Sequence, residues 1–141
     1  MIELKDVGHD QLNSDHMKIY QVIVKFNNLS KRFITNNEDD IIELCITMDS
    51  ILSYIRNHFE LEESLLEQTS YPDLELHMKK HDTIRDNVVK LRGRIFGSMS
   101  GCMNQEINLD ALTEMNEFLL SWWVNHINKF DIQYKRYIEE N

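Results

Sequence analysis

Apolar positions recur along this chain at intervals of three and four, the period of helices with one buried face. His16, Ile19, Tyr20, Ile23, Phe26 and Asn27 mark the first such face, which continues to Ile34, with Asn13 or Ser14 as its N-cap. Thr35, Asn36 and Asn37 interrupt the pattern, and Asn37 with Asp40 resembles a cap followed by an acidic first turn. A second face, Ile41, Leu44, Met48, Ile51, Leu52, Ile55, Phe59 and Leu66, runs to the turn Gln68-Thr69-Ser70-Tyr71-Pro72. The third helix is expected from near Pro72, since proline is tolerated in a first turn, with an inner stripe of Leu74, His77, Met78, His81, Ile84, Val88, Leu91 and Ile95. After the linker Gly97-Ser98-Met99-Ser100-Gly101, a fourth helix spans about Asn108 to Tyr137 and carries Leu112, Met115, Leu119, Trp122, His126 and Phe130. Residues 1–13 show no helical period and read as an extended N-terminal arm. Long helices with short connections predict an all-α chain: an antiparallel up-down four-helix bundle. Residues 1–141 are then one domain, the arm over 1–13 and the bundle over 14–141.

Composition narrows the partners. An apolar content of 42%, with four glycines and one proline in 141 residues, fits a few long helices around a real core. The net charge of -9 disfavours nucleic acid and anionic membrane surfaces. No apolar run is long enough to span a bilayer, and MIELKDVGHDQ places charges where a signal peptide needs an apolar stretch. The expected location is the cytoplasm. Cys45, in an apolar run, and Cys102, in the Gly/Ser-rich loop, then read as free thiols.

Six histidines occur, and five of them, His16, His58, His77, His81 and His126, fall on inner helical faces. His77 and His81, like His58 and Glu62, are one turn apart on a single face, the spacing that lets two side chains reach one metal. Taken singly, each has a plainer reading: a hydrogen-bonded core histidine, or a solvated helix acid. Taken together, five imidazoles and an acid inside a small bundle need partners, and a shared metal centre satisfies them all. Asp131 does not follow from this argument. Five residues after His126, it lies about 140° further round an ideal helix and reads as a surface acid. His9, in the arm, reads as a surface residue or a supporting contact; Trp122, Trp123, Ile127 and Phe59 are candidates to line a dry pocket, and Tyr20 to support His16.

In order along the chain, Asp15-His16, His58-Phe59-Glu60-Leu61-Glu62-Glu63, His77-Met78-Lys79-Lys80-His81 and His126-Ile127-Asn128-Lys129-Phe130-Asp131 resemble the motifs of the hemerythrin family, in particular the single-domain bacteriohemerythrins. Each motif alone is weak; four in order, one per helix, are specific. The resemblance implies two non-heme iron ions (Fe2+/Fe3+). His77, His81 and His126 would hold one and His16 and His58 the other. Glu62 and Asp131 would bridge them beside an oxo or hydroxo ligand. The iron at His16 and His58 then keeps one open position, where dioxygen would bind.

The implied function is reversible dioxygen binding, as carrier, store or delivery partner of an oxygen-using enzyme, rather than catalysis. Oxidative di-iron bundles use mostly carboxylates with Glu-x-x-His pairs on two helices, and no such set faces inward here. A pocket without an obvious acid–base residue also argues against turnover. Two alternatives stay open: an oxygen or redox sensor acting through a partner protein and the N-terminal arm, and a di-iron enzyme acting on peroxide or nitric oxide.

Overall fold

The computed structural model of the protein describes residues 3–32, 38–97 and 107–140. Four long helices dominate: α1 Asp10–Arg32, α2 Glu38–Gln68, α3 Leu74–Phe96 and α4 Leu109–Asn125. A π-helical turn, His126–Phe130, and a 3-10 turn, Asp131–Tyr134, carry the chain from α4 into the short α5, Lys135–Glu139. The expected single fourth helix is thus three kinds of helix in succession. Packing runs in a ring, α1 on α2, α2 on α3, α3 on α4 and α4 back on α1. His16 near the start of α1, His58 near the end of α2, His77 near the start of α3 and His126 after α4 meet at one end, which makes neighbours antiparallel.

The other end is apolar. Phe26 of α1, Leu44, Met48 and Ile51 of α2, Ile95 of α3 and Met115 of α4 are essentially solvent-free. Each such side chain contributes roughly 1.5–3 kcal/mol through burial. Met78, expected inside, is 41% exposed, because His77 and His81 take the inward positions of that turn.

Element ends differ from the periodicity for local reasons. α1 begins at Asp10, so residues 10–13 of the expected arm are its first turn. The His9 Nδ1 accepts the Leu12 N–H at 3.3 Å, the task of an N-cap side chain that sequence preference assigns to Ser, Thr, Asp or Asn. Asn13, expected as a cap, instead accepts the Val7 N–H at 3.0 Å and donates to Asp6 at 2.8 Å. Residues 3–9 have no regular secondary structure but are docked: Asn128 accepts the Lys5 N–H at 2.9 Å and donates to the Glu3 carbonyl at 3.1 Å.

α2 ends where Ser70 adopts φ 55° and the Tyr71 N–H closes onto the Leu66 carbonyl; Pro72 follows, and α3 starts two residues later than expected, at Leu74. Asn108 caps α4 by accepting the Ala111 N–H at 3.1 Å. The expected break at Thr35–Asn37 and most of the glycine–serine linker, with Cys102, lie outside the described residues. Cys45 is disulfide-bonded, which corrects the free thiol expected there.

Candidate metal centre

The structure brings all seven sequence-selected residues together at the histidine end. Glu62, His77, His81, His126 and Asp131 form one group, and His16, His58, Glu62 and Asp131 a second; within each, ligand atoms lie within 4.8 Å of one another. The two groups share Glu62 and Asp131. All seven side chains are at most 4% exposed.

Asp131 reaches the cluster because the helix changes pitch. Its backbone N–H bonds back to the His126 carbonyl, five residues earlier, which places residues five apart on one face. His126 Nε2 then lies 3.0 Å from Asp131 Oδ1. The 3-10 turn that follows stacks residues three apart, so Tyr134 comes over Asp131, and its hydroxyl donates to Glu62 Oε2 at 3.0 Å in full burial. Ideal 3.6-residue periodicity does not assign Asp131 to this face, whereas Tyr134, four residues after Phe130 and eight after His126, continues the inner stripe. Tyr20, a candidate to support His16 whose plainer reading is packing, packs partly buried against the hydrophobic core.

Two further acids stand behind the imidazoles. Asp15 is hydrogen-bonded to His58 Nδ1 at 3.2 Å, whereas Glu63 approaches His81 Nδ1 at 3.5 Å without hydrogen-bond alignment. A carboxylate hydrogen-bonded to Nδ1, as at His58, fixes the tautomer and aims the Nε2 lone pair at the centre. His9 belongs to neither group.

The charge balance is that of imidazoles competing with protons. Burial pushes His58 down, but Asp15 and Glu62 outweigh it and raise its pKa to about 9. Burial likewise opposes ionisation of His77, while Asp131 and Glu62 raise it to about 10. His16 is also raised, against burial, by Asp131 and Glu62. Burial would neutralise Glu62 and Asp131, yet the surrounding imidazoles hold both carboxyls well below the usual range. Burial, then Glu62, holds the Tyr134 hydroxyl protonated, so it donates.

A cation pair fits this donor set. The Nε2 atoms of His16, His58, His81 and His126 and both oxygens of Asp131 are buried without a hydrogen-bond partner. Each such orphan costs roughly 1–3 kcal/mol. Several approach carboxylate oxygens closely without hydrogen-bond alignment: His58 Nε2 to Glu62 at 3.1 Å, His81 Nε2 to Glu62 at 3.1 Å and His16 Nε2 to Asp131 at 3.3 Å. Imidazole nitrogens and carboxylate oxygens, with no sulfur, suit first-row transition metals.

Aromatic rings close the surroundings. Phe59 lies flat on His81 at 3.7 Å and 3°. Trp123, fully buried, stands edge-on to His16 and His58 at 5.7 Å each, and its Nε1 donates to the His16 carbonyl at 3.1 Å.

A helical bundle whose inward histidines and carboxylates form two joined ligand groups defines a class, the metal-binding four-helix bundles. Within that class the match is specific: the Hemerythrin HHE cation binding domain covers residues 7–137, and the chain belongs to the hemerythrin family. It is 24% identical over 133 residues to a bacteriohemerythrin of Clostridium acetobutylicum, covering 92% of each chain. It is 25% identical to a bacteriohemerythrin of Methylococcus capsulatus, covering 86% of this chain and 82% of that one. The crystal structure of wild-type hemerythrin shares the fold, with TM-score 0.69, 24% identity and coverage of 91% and 87% of the two chains. Among the described residues, no helix is long and apolar enough to cross a membrane.

Proposed function

We propose that the chain holds a non-heme di-iron centre and binds dioxygen there reversibly, as a carrier, store or delivery protein rather than an enzyme. The observation that supports this most is the pair of ligand groups sharing Glu62 and Asp131. His77, His81 and His126 would hold one iron and His16 and His58 the other, with Glu62 and Asp131 available to both and an oxo or hydroxo group as the further bridge. That count would leave one position open beside His16 and His58. When bound, the ferrous pair supplies the two electrons that hold dioxygen reversibly. The protein's own share is positional. Asp15 keeps the His58 Nδ1 proton, Tyr134 steadies Glu62, and Trp123 and Phe59 keep water from the buried imidazoles.

The test is an optical spectrum of the ferrous protein before and after air, with an iron assay. The expected result is a visible band that appears in air and fades under vacuum. Irreversible dioxygen consumption with turnover of a reductant would overturn the reading.

A second reading, a sensor acting through a partner, is favoured by one contact. Asn128, between His126 and Asp131, bonds the backbone of both Glu3 and Lys5, so the arm is tied to the turn that carries two ligands. Equal protease sensitivity of the arm with and without dioxygen would remove it.

A further inference from the structure

Phe118, Trp122, His126 and Phe130 recur every fourth residue, and their ring centroids follow one another at 6.2, 5.4 and 5.9 Å. Phe118 and Trp122 pack against the edge of the core, but core packing leaves part of the row open to solvent. Phe118, Trp122 and Phe130 are only half-buried, whereas Phe59 and Trp123 behind them are fully buried. The row forms one wall of an open cleft of about 350 Å3, and Lys79, Lys80, Thr83 and Asn87 of α3 stand on the other. Lys80 Nζ sits 3.6 Å above the Phe130 ring. Lys79 is exposed and meets Glu75 only at 3.8 Å.

The cleft leads directly to the metal centre. Trp122 touches His126 at 5.4 Å and Phe59 at 6.0 Å, and Phe59 covers His81. The indole therefore meets one imidazole of that group directly and a second through the Phe59 ring. His126 is in turn 3.0 Å from Asp131, which both groups share.

We propose that this cleft is where electrons enter, and that it binds flavin mononucleotide with the ring system against Trp122 and the phosphate toward Lys79 and Lys80. The proposal rests on the di-iron reading above. Its size, near the lower end of the roughly 300–1,000 Å3 of small-molecule sites, suits a mononucleotide carrier better than a dinucleotide. The aromatic wall offers a planar ring system a stacking surface. Two lysines on one rim give an otherwise acidic chain a local complement to phosphate. On the di-iron reading dioxygen would bind beside His16 and His58, not at the group of His77, His81 and His126 that this cleft approaches. Electrons do need one, since a ferric pair cannot take up dioxygen. Flavin hydroquinone gives up two electrons and two protons to become oxidised flavin; the electrons convert two ferric ions to ferrous, and the protons pass to solvent.

The test is titration of flavin mononucleotide into the full chain, with and without iron, following flavin fluorescence, which stacking on an indole quenches. Saturable quenching is expected. Lys79→Glu with Lys80→Glu weakens it about tenfold or more, Trp122→Leu removes it, and riboflavin, lacking the phosphate, binds more weakly. No quenching, or equal quenching by the lysine variant and by riboflavin, would overturn the site. In stopped flow, reduced flavin mononucleotide should reduce the iron-loaded wild type faster than the lysine variant, by the factor seen in binding. Binding without that difference overturns electron entry and leaves the di-iron reading intact. Binding to a chain that takes up no iron overturns the di-iron reading, and electron entry with it, while the flavin site stands.

Discussion

The two ends of this bundle use the same four helices for opposite purposes. At the apolar end, Phe26, Met48, Ile51, Ile95 and Met115 are buried with nothing left to satisfy, and their burial is stabilising as it stands. At the histidine end, five imidazoles and two carboxylates are buried as deeply, and several polar atoms lack partners. A buried carboxylate costs several kcal/mol even after relaxation. The first end holds the fold together, while the second is tolerated because the first is stable and because, on the proposed reading, a cation pair would offset its cost. The contrast teaches that burial reports packing at one end and, on that reading, ligand geometry at the other.

The largest effect expected from breaking this division is at a shared acid. Glu62→Ala should weaken iron binding by more than the ~10–100-fold typical of losing a supporting group, because both ligand groups lose an oxygen. Iron assay after desalting checks it. Met48→Ala, at the apolar end, should cost about 2–5 kcal/mol in urea unfolding yet leave the iron content per folded chain unchanged. Tyr134→Phe removes the hydrogen bond to Glu62 and should lower metal affinity by roughly 10–100-fold with the fold intact, as read by competition with a chelator.

The smallest effect is in pH. The pKa values of about 9 for His58 and about 10 for His77 lie above the ordinary 6.5. Their contribution to the metal-free protein is thus complete below about 6.5 and is lost as pH rises through 9 to 10. The metal-free chain should melt at a lower temperature at the top of that window than at its bottom. Iron binding should tighten over the same rise, because fewer protons compete for the imidazoles. A melting temperature of the metal-free chain that stays level across the window would contradict the ion pairing described.

The apolar end was legible from periodicity, since a 3.6-residue repeat needs only the right residue type at the right interval. The same rule found the five histidines and Glu62. It missed Asp131 because α4 passes into a π turn, a change of pitch that is not written in residue spacing; Tyr134 continues the stripe of His126 and Phe130, but its hydrogen bond to Glu62 is a property of the packed helices. Asp131 was nonetheless selected by its family motif, which carries the outcome of that geometry without its cause. It also missed the start of α1, where a histidine does the work of an N-cap. Asp15 stood beside His16 in the sequence, but its hydrogen bond to His58 depends on which ring nitrogen faces out, and this is a property of the packed helices.

The central claim is that seven residues divide into two metal sites joined by two carboxylates. The most direct measurement is anomalous diffraction from crystals of the iron-loaded protein, recorded on either side of the iron absorption edge. The account predicts two peaks, one among His77, His81 and His126 and the other between His16 and His58, with Glu62 and Asp131 touching both. A single peak, or two peaks with either carboxylate bound to only one of them, would contradict it.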